Sequence, residues 1–153
     1  MSRLRRTKAR ADITVLDRVR SDGDYYVVLM AGAESNCNIQ SMCGAASDYT
    51  LIWIRLDRNL RLKDKQAVVV EDCRSGISIT DPPRKEDQEP KLRLVRGKLT
   101  VVYGNDSDPE KGITTRLVYD RKAPDQGFRT STLTHVPGTI SSAWLSFKML
   151  ADA

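Results

Sequence analysis

The chain has 153 residues, with 25 basic and 20 acidic side chains and a formal net charge of +5. That length makes one domain, or part of a larger one, able to bury about 70% of its unfolded surface and so to fold without disulfides. No apolar run approaches the roughly 20 residues of a membrane helix, and Met1 to Arg10 has no apolar core of the kind a secretory signal needs.

The excess charge is local. Arg3, Arg5, Arg6, Lys8 and Arg10 form a basic arm with no acid among them, and the rest of the chain is neutral. Residues 1–11 therefore read as a solvated tail, with contact to phosphates or anionic lipid as the alternative. Nucleic-acid binding would place the basic charge on a folded face instead. Residues 12–153 read as a single β-rich domain.

Asp24 to Ala31 is the first predicted strand, apolar on both faces. A loop rich in Gly, Ser and Asn follows, from Gly32 to Asp48. Tyr49 to Asp57 is the second strand. Ile52, Ile54 and Leu56 share one face, and Leu51, Trp53 and Arg55 the other. Apolar residues on both sides predict a strand covered from both sides. Asp57-Arg58-Asn59 is a turn, because Asp and Asn close local hydrogen bonds and tolerate left-handed backbone. Gln66 to Glu71 and Ile77 to Thr80 are the next strands.

Asp81 to Pro90 holds three of the six prolines and is a loop. The hairpin after it pairs Lys91–Val95 with Lys98–Tyr103 around Arg96-Gly97, where glycine accepts the positive φ of a two-residue turn. Gly104 to Gly112 is an acidic turn region. Ile113 to Asp120 is a strand, Pro124 to Gly127 a turn, and Phe128 to Val136 a further strand. Thr139 to Ala153 fits either a strand or a short helix capped by Ser141 or Ser142. Short strands between turn signals, with no convincing helical periodicity, predict an antiparallel all-β domain.

Few chemistries have a motif. There is no G-x-S-x-G elbow, no phosphate-binding loop and no dinucleotide fingerprint. Cys37, Cys43 and Cys73 lack the short spacing of zinc sites, and His135 is the only histidine. The cysteines read as buried thiols or one loop disulfide, and no metal or cofactor is expected. Asn105 to Glu110 is a turn whose oxygens could also hold a hard cation. Asn105-Asp106-Ser107 is a glycosylation sequon in a secretory setting.

The segment Gln88-Glu89-Pro90-Lys91-Leu92, followed by a strand, a Gly-containing turn and a Tyr-ended strand, resembles a motif of five-bladed β-propeller glycoside hydrolases and phosphorylases. Ile54-Arg55-Leu56-Asp57-Arg58-Asn59 is similar to the strand and turn that precede that motif. The resemblance spans roughly Tyr25 to Asn105. Glu89 stands where the family has Asp, Gln88 where it has Glu, and Lys91 where it has Arg. What the resemblance implies is a set of partial propeller-like blades that bind or cleave glycans, with carbohydrate as the partner. Glycosidic cleavage needs one carboxyl group as acid and a second as base or nucleophile. Glu89 would be one, and Asp48 and Asp72 are the other candidates. Lys91 would contact substrate. Trp53 and Tyr103 would stack on a sugar face or else belong to the core. At the length of a propeller blade the chain has room for about three. It would then be a fragment or be completed by another chain. The alternative is a β-sandwich interaction module without catalysis.

Overall fold

The computed structural model describes residues 11–35, 47–83, 88–105 and 113–134. Among the described residues eight antiparallel strands form two four-stranded sheets, each an up-and-down meander in chain order. The N-terminal sheet holds β1 (Ala11–Ser21), β2 (Asp24–Glu34), β3 (Ser47–Leu56) and β4 (Leu62–Glu71). The C-terminal sheet holds β5 (Ile77–Asp81), β6 (Lys98–Asn105), β7 (Ile113–Asp120) and β8 (Arg129–Thr134). The all-β expectation is thus met. Among the described residues no helix is long and apolar enough to cross a membrane.

The turns follow from their residues. Asp22-Gly23 joins β1 to β2 with both φ values positive, at 52° and 83°, and Arg96-Gly97 repeats this at 51° and 78°. These are the mirror-image turns whose twist matches that of paired strands, and glycine takes the second position without strain. Around Arg96-Gly97 only Val95 and Lys98 pair, as a single bridge. Lys91 to Leu94 is therefore not the predicted strand arm. Leu92 is buried and Leu94 packs on the core, so this stretch is held by its side chains instead of a ladder.

One core lies between the sheets. Tyr26, Val28 and Met30 of β2, Tyr49, Leu51 and Trp53 of β3, and Val70 of β4 face Ile79, Leu99, Val101, Leu117, Tyr119 and Phe128 of the second half. Each large apolar side chain buried there contributes about 1.5–3 kcal/mol. Polar contacts fix how the sheets meet, among them the Phe128 N–H donating to Gln66 Oε1 of β4 at 2.6 Å. The Trp53 indole N–H donates to the Pro124 carbonyl at 3.0 Å. The Tyr119 hydroxyl donates to Asp17 Oδ2 at 3.0 Å, with Arg121 Nε 3.5 Å from Asp17 Oδ1. Asp17 follows a bulge at Leu16 in β1, which turns the carboxylate inward.

The outer faces of the two sheets differ. On the C-terminal sheet Lys98, Thr100, Thr114, Arg116, Arg129 and Ser131 occupy outward register positions, with Val102, Val118 and Leu133 among them. That is the ordinary alternation of a sheet facing water. On the N-terminal sheet the outward rows read Ile13–Ala31–Thr50–Val69, Val15–Leu29–Ile52–Ala67 and Arg18–Val27–Ile54–Lys65, the last with a cation on each edge strand. The apolar pattern on both sides of β2 and β3 is real, but among the described residues a sheet covers only one of those sides.

Burial, and after it the neighbouring Asp17 charge, pushes the Tyr119 phenol above its ordinary value of 10.0. The fold thus favours the neutral phenol. Its stabilising contribution is complete below pH 10 and is lost as pH climbs beyond it. Tyr119→Phe should lower stability by about 1–3 kcal/mol at neutral pH, because Asp17 loses a buried partner. The variant should also show a shallower alkaline loss in denaturant titrations across pH 8–11. Equal alkaline slopes in the two proteins would refute the assignment.

Candidate functional site

Asp48 and Asp72 flank the turn after β4. Asp48 Oδ1 accepts the Ser35 hydroxyl at 2.5 Å and the Cys73 backbone N–H at 3.3 Å. It thereby ties the end of β2, the start of β3 and the turn after β4 together. Asp72 Oδ2 accepts the Ser75 hydroxyl and Oδ1 the Arg74 N–H, closing the turn into β5. The Ser75 hydrogen bond, then the Arg74 N–H, holds the Asp72 carboxyl below its ordinary range. Both carboxylates have the geometry of turn-closing groups. Cys73 beside them is in a disulfide whose partner lies outside the described residues.

Glu89 is exposed and lines a cleft of about 210 Å³ with Asp12, Glu34 and Tyr49. The floor is local β geometry. Gly32 stands opposite Tyr49 across the β2–β3 pair, and the Tyr49 ring lies over it. A Cβ at Gly32 would come within 2.8 Å of that ring, so only glycine lets the aromatic lie flat there. Three carboxylates around one cleft are an acceptor-rich surface for hydroxyl groups. Among the described residues no group of His, Cys, Asp and Glu has the arrangement to hold a metal ion.

Lys91 lines a different and larger cleft, of about 430 Å³, beside Asp81, Arg93 and Lys98. The buried ring of Pro90 sits between the two residues in sequence. Glu89 and Lys91 therefore do not converge on one ligand. Trp53 is 1% exposed and its only donor is used by Pro124, so it is a core residue with no face for a sugar. Tyr103 is half-buried against the same core, opposite Thr115 and Ile79, and burial raises its phenol. The Asn105–Glu110 turn continues outside the described residues, as do Cys37, Cys43, His135 and the 139–153 segment.

Sequence reasoning missed Asp12 in the Glu89 cleft because β1 itself was missed, and Glu34 because β2 runs on past Ala31 to Glu34. The signal for β1 was present: Asp22-Gly23 is a strong two-residue hairpin dipeptide. A second missed group is Asp24, buried at the same hairpin. It accepts from Arg55 Nε at 2.6 Å and Lys63 Nζ at 2.8 Å. The Lys63 contact first, then Arg55, lowers its pKa.

No family model matches the chain, and neither a curated protein nor a solved structure matches it.

The geometry separates structural from available carboxylates. Asp72→Ala should lower the thermal midpoint. The Asp72 contribution should be present above pH 3.8 and fade as pH falls below it, since its folded pKa is depressed. Glu89→Gln should leave the midpoint unchanged, so loss of a sugar signal on a glycan array with that variant would report on the cleft alone. A drop in midpoint for Glu89→Gln would contradict this division.

Proposed function

We propose that the chain is a non-catalytic β-sandwich interaction module that associates through the outer face of its N-terminal sheet, and that a second copy of the chain occupies this face. The observation that carries the reading is the pair of neighbouring uncharged outward rows Ile13–Ala31–Thr50–Val69 and Val15–Leu29–Ile52–Ala67, with Ile13 65% and Val15 53% exposed. Val69 on the far edge strand is exposed as well. Contiguous apolar surface of this kind marks a contact site.

The size fits a second copy. Four strands about 4.8 Å apart and ten residues long give a face of about 600 Å² in plan. Side-chain relief brings its accessible area towards the ~800 Å² per partner of a standard stable interface. Sheet faces pack on one another about 10 Å apart, as the two sheets already do within the chain. The edges are less suited to pairing. β1 carries a bulge and Arg18 and Arg20, and β4 opens with Lys63-Asp64-Lys65, devices that keep strand edges from adding neighbours.

A second reading retains the resemblance to propeller glycoside hydrolases and phosphorylases. Two successive four-stranded meanders have the strand order of propeller blades. Glu89 shares its cleft with Asp12 and Glu34, so more than one carboxylate lies at hand. Against catalysis stand the structural duties of Asp48 and Asp72 and the separation of Glu89 from Lys91. Glycan binding without cleavage is the form of this reading that the geometry favours.

Sedimentation equilibrium should find a dimer at micromolar concentration. Val15→Lys should weaken it by about a hundredfold with little change in thermal midpoint, because that side chain already faces solvent in one copy. A monomer persisting at about 100 μM, close to the millimolar regime of non-specific contact, would overturn the reading and assign the face to another segment or partner.

A further inference from the structure

The link between β3 and β4 is a three-residue hairpin loop with an unusual occupant. The Leu60 N–H donates to the Asp57 carbonyl and the Asp57 N–H to the Arg61 carbonyl, both at 2.9 Å. The Asp57 carboxylate accepts the N–H groups of Asn59 and Arg61, at 2.7 and 2.9 Å. This is a turn followed by a left-handed bulge residue, a position that glycine normally fills. Here it is Leu60, at φ 60°. Left-handed backbone is unfavourable for a leucine. Leu60 is nevertheless 66% exposed, so core packing does not repay the strain. Leu62, one turn of the ladder on, is 58% exposed.

The surroundings are cationic. Arg58 and Arg61 flank Leu60 in the loop, and all three are exposed. Leu60 also lines a shallow groove with Arg18, Arg20, Tyr25 and Leu56. Arg20 lies over the Tyr25 ring, 5.2 Å from its centre. The acids of this end are partly spent: Asp57 closes the loop, and Asp24 is held by Arg55 and Lys63. The exposed acids of this end, Asp22, Asp64 and Asp125, are outnumbered by five exposed cations, Arg18, Arg20, Arg58, Arg61 and Lys65.

A strained apolar tip ringed by arginines matches the chemistry of an anionic bilayer surface, which takes leucines among its acyl chains and basic groups at its headgroups. We propose that the Asp57–Arg61 hairpin tip docks the protein on anionic phospholipid, with Leu60 and Leu62 entering the interface and Arg58 and Arg61 at the headgroups. The proposal rests on the tip alone and does not require self-association of the outer sheet face.

The test is co-sedimentation of the 153-residue protein with phosphatidylcholine vesicles made with and without phosphatidylserine. The wild-type chain should partition onto the phosphatidylserine vesicles and be released by high salt. Leu60→Gly should reduce partition about tenfold, the worth of one leucine side chain in the interface. It should melt no earlier than the wild type, since glycine takes the left-handed position without strain. Arg58→Gln with Arg61→Gln should abolish the preference for anionic vesicles. Wild-type protein that stays in solution with both vesicle types would overturn the proposal and leave the tip to a protein partner. Unchanged partition of Leu60→Gly would overturn it equally, because the basic N-terminal arm would then account for the binding.

Discussion

The contact between the inner faces of the two sheets is the constraint on which the rest of the structure depends. Neither meander can bury its apolar rows alone; a lone sheet needs a second layer. The layers are aligned by Trp53 reaching Pro124 and by Tyr119 reaching Asp17. Each bond joins residues that lie 70 or more positions apart. A buried donor left without its acceptor costs far more than the bond gains, so these two contacts discriminate against other stackings of the same sheets. The clefts on either side of Pro90 follow from the stacking, because Leu92 is drawn into the shared core and fixes the loop that carries Glu89 and Lys91.

The same contact explains an asymmetry. The C-terminal sheet alternates cleanly and needs one covering layer. The N-terminal sheet is apolar on both sides of β2 and β3, and among the described residues it receives only one. A sheet face rich in Leu, Ile and Val is not maintained for solubility. At the end of that sheet, a leucine occupies a backbone position that suits glycine, in a ring of arginines. Both features lie on the N-terminal sheet, and both are surface features that folding alone does not require.

Much of the fold is legible in the sequence. The two-faced apolar runs at Tyr25–Met30 and Leu51–Leu56 announced buried strands, Arg96-Gly97 announced its turn, and Ile113–Asp120 showed its alternation. β1 escaped because charged Asp17, Arg18 and Arg20 interrupt its pattern, and only the buried contact of Asp17 with Tyr119 gives that charge a reason. The start of β4 escaped for a similar cause: Lys63, Asp64 and Lys65 lie on an edge strand, where charge protects instead of disqualifying. Lys91–Leu94 was over-read as a strand because its leucines serve the core without a ladder. The candidate site was less legible. Local motif similarity brought Glu89 and Lys91 together on paper, yet a cleft depends on which loops and strands meet, and the two residues open onto different ones. Trp53 looked available as an aromatic, and its burial is decided by Pro124, far along the chain.

The central claim is that the outer face of the N-terminal sheet is a contact between copies. Thr50 sits in the middle of that face, between Ala31 and Val69 in register. Replacing it with a photo-crosslinking phenylalanine derivative and irradiating the purified protein tests the claim most directly. The account predicts a covalent dimer whose crosslinked peptide maps to β1–β4 of the second copy, and no dimer when the same group replaces Thr100 on the polar outer face of the other sheet. Crosslinks from Thr50 that stay within one chain, or dimers formed equally from Thr100, would contradict it.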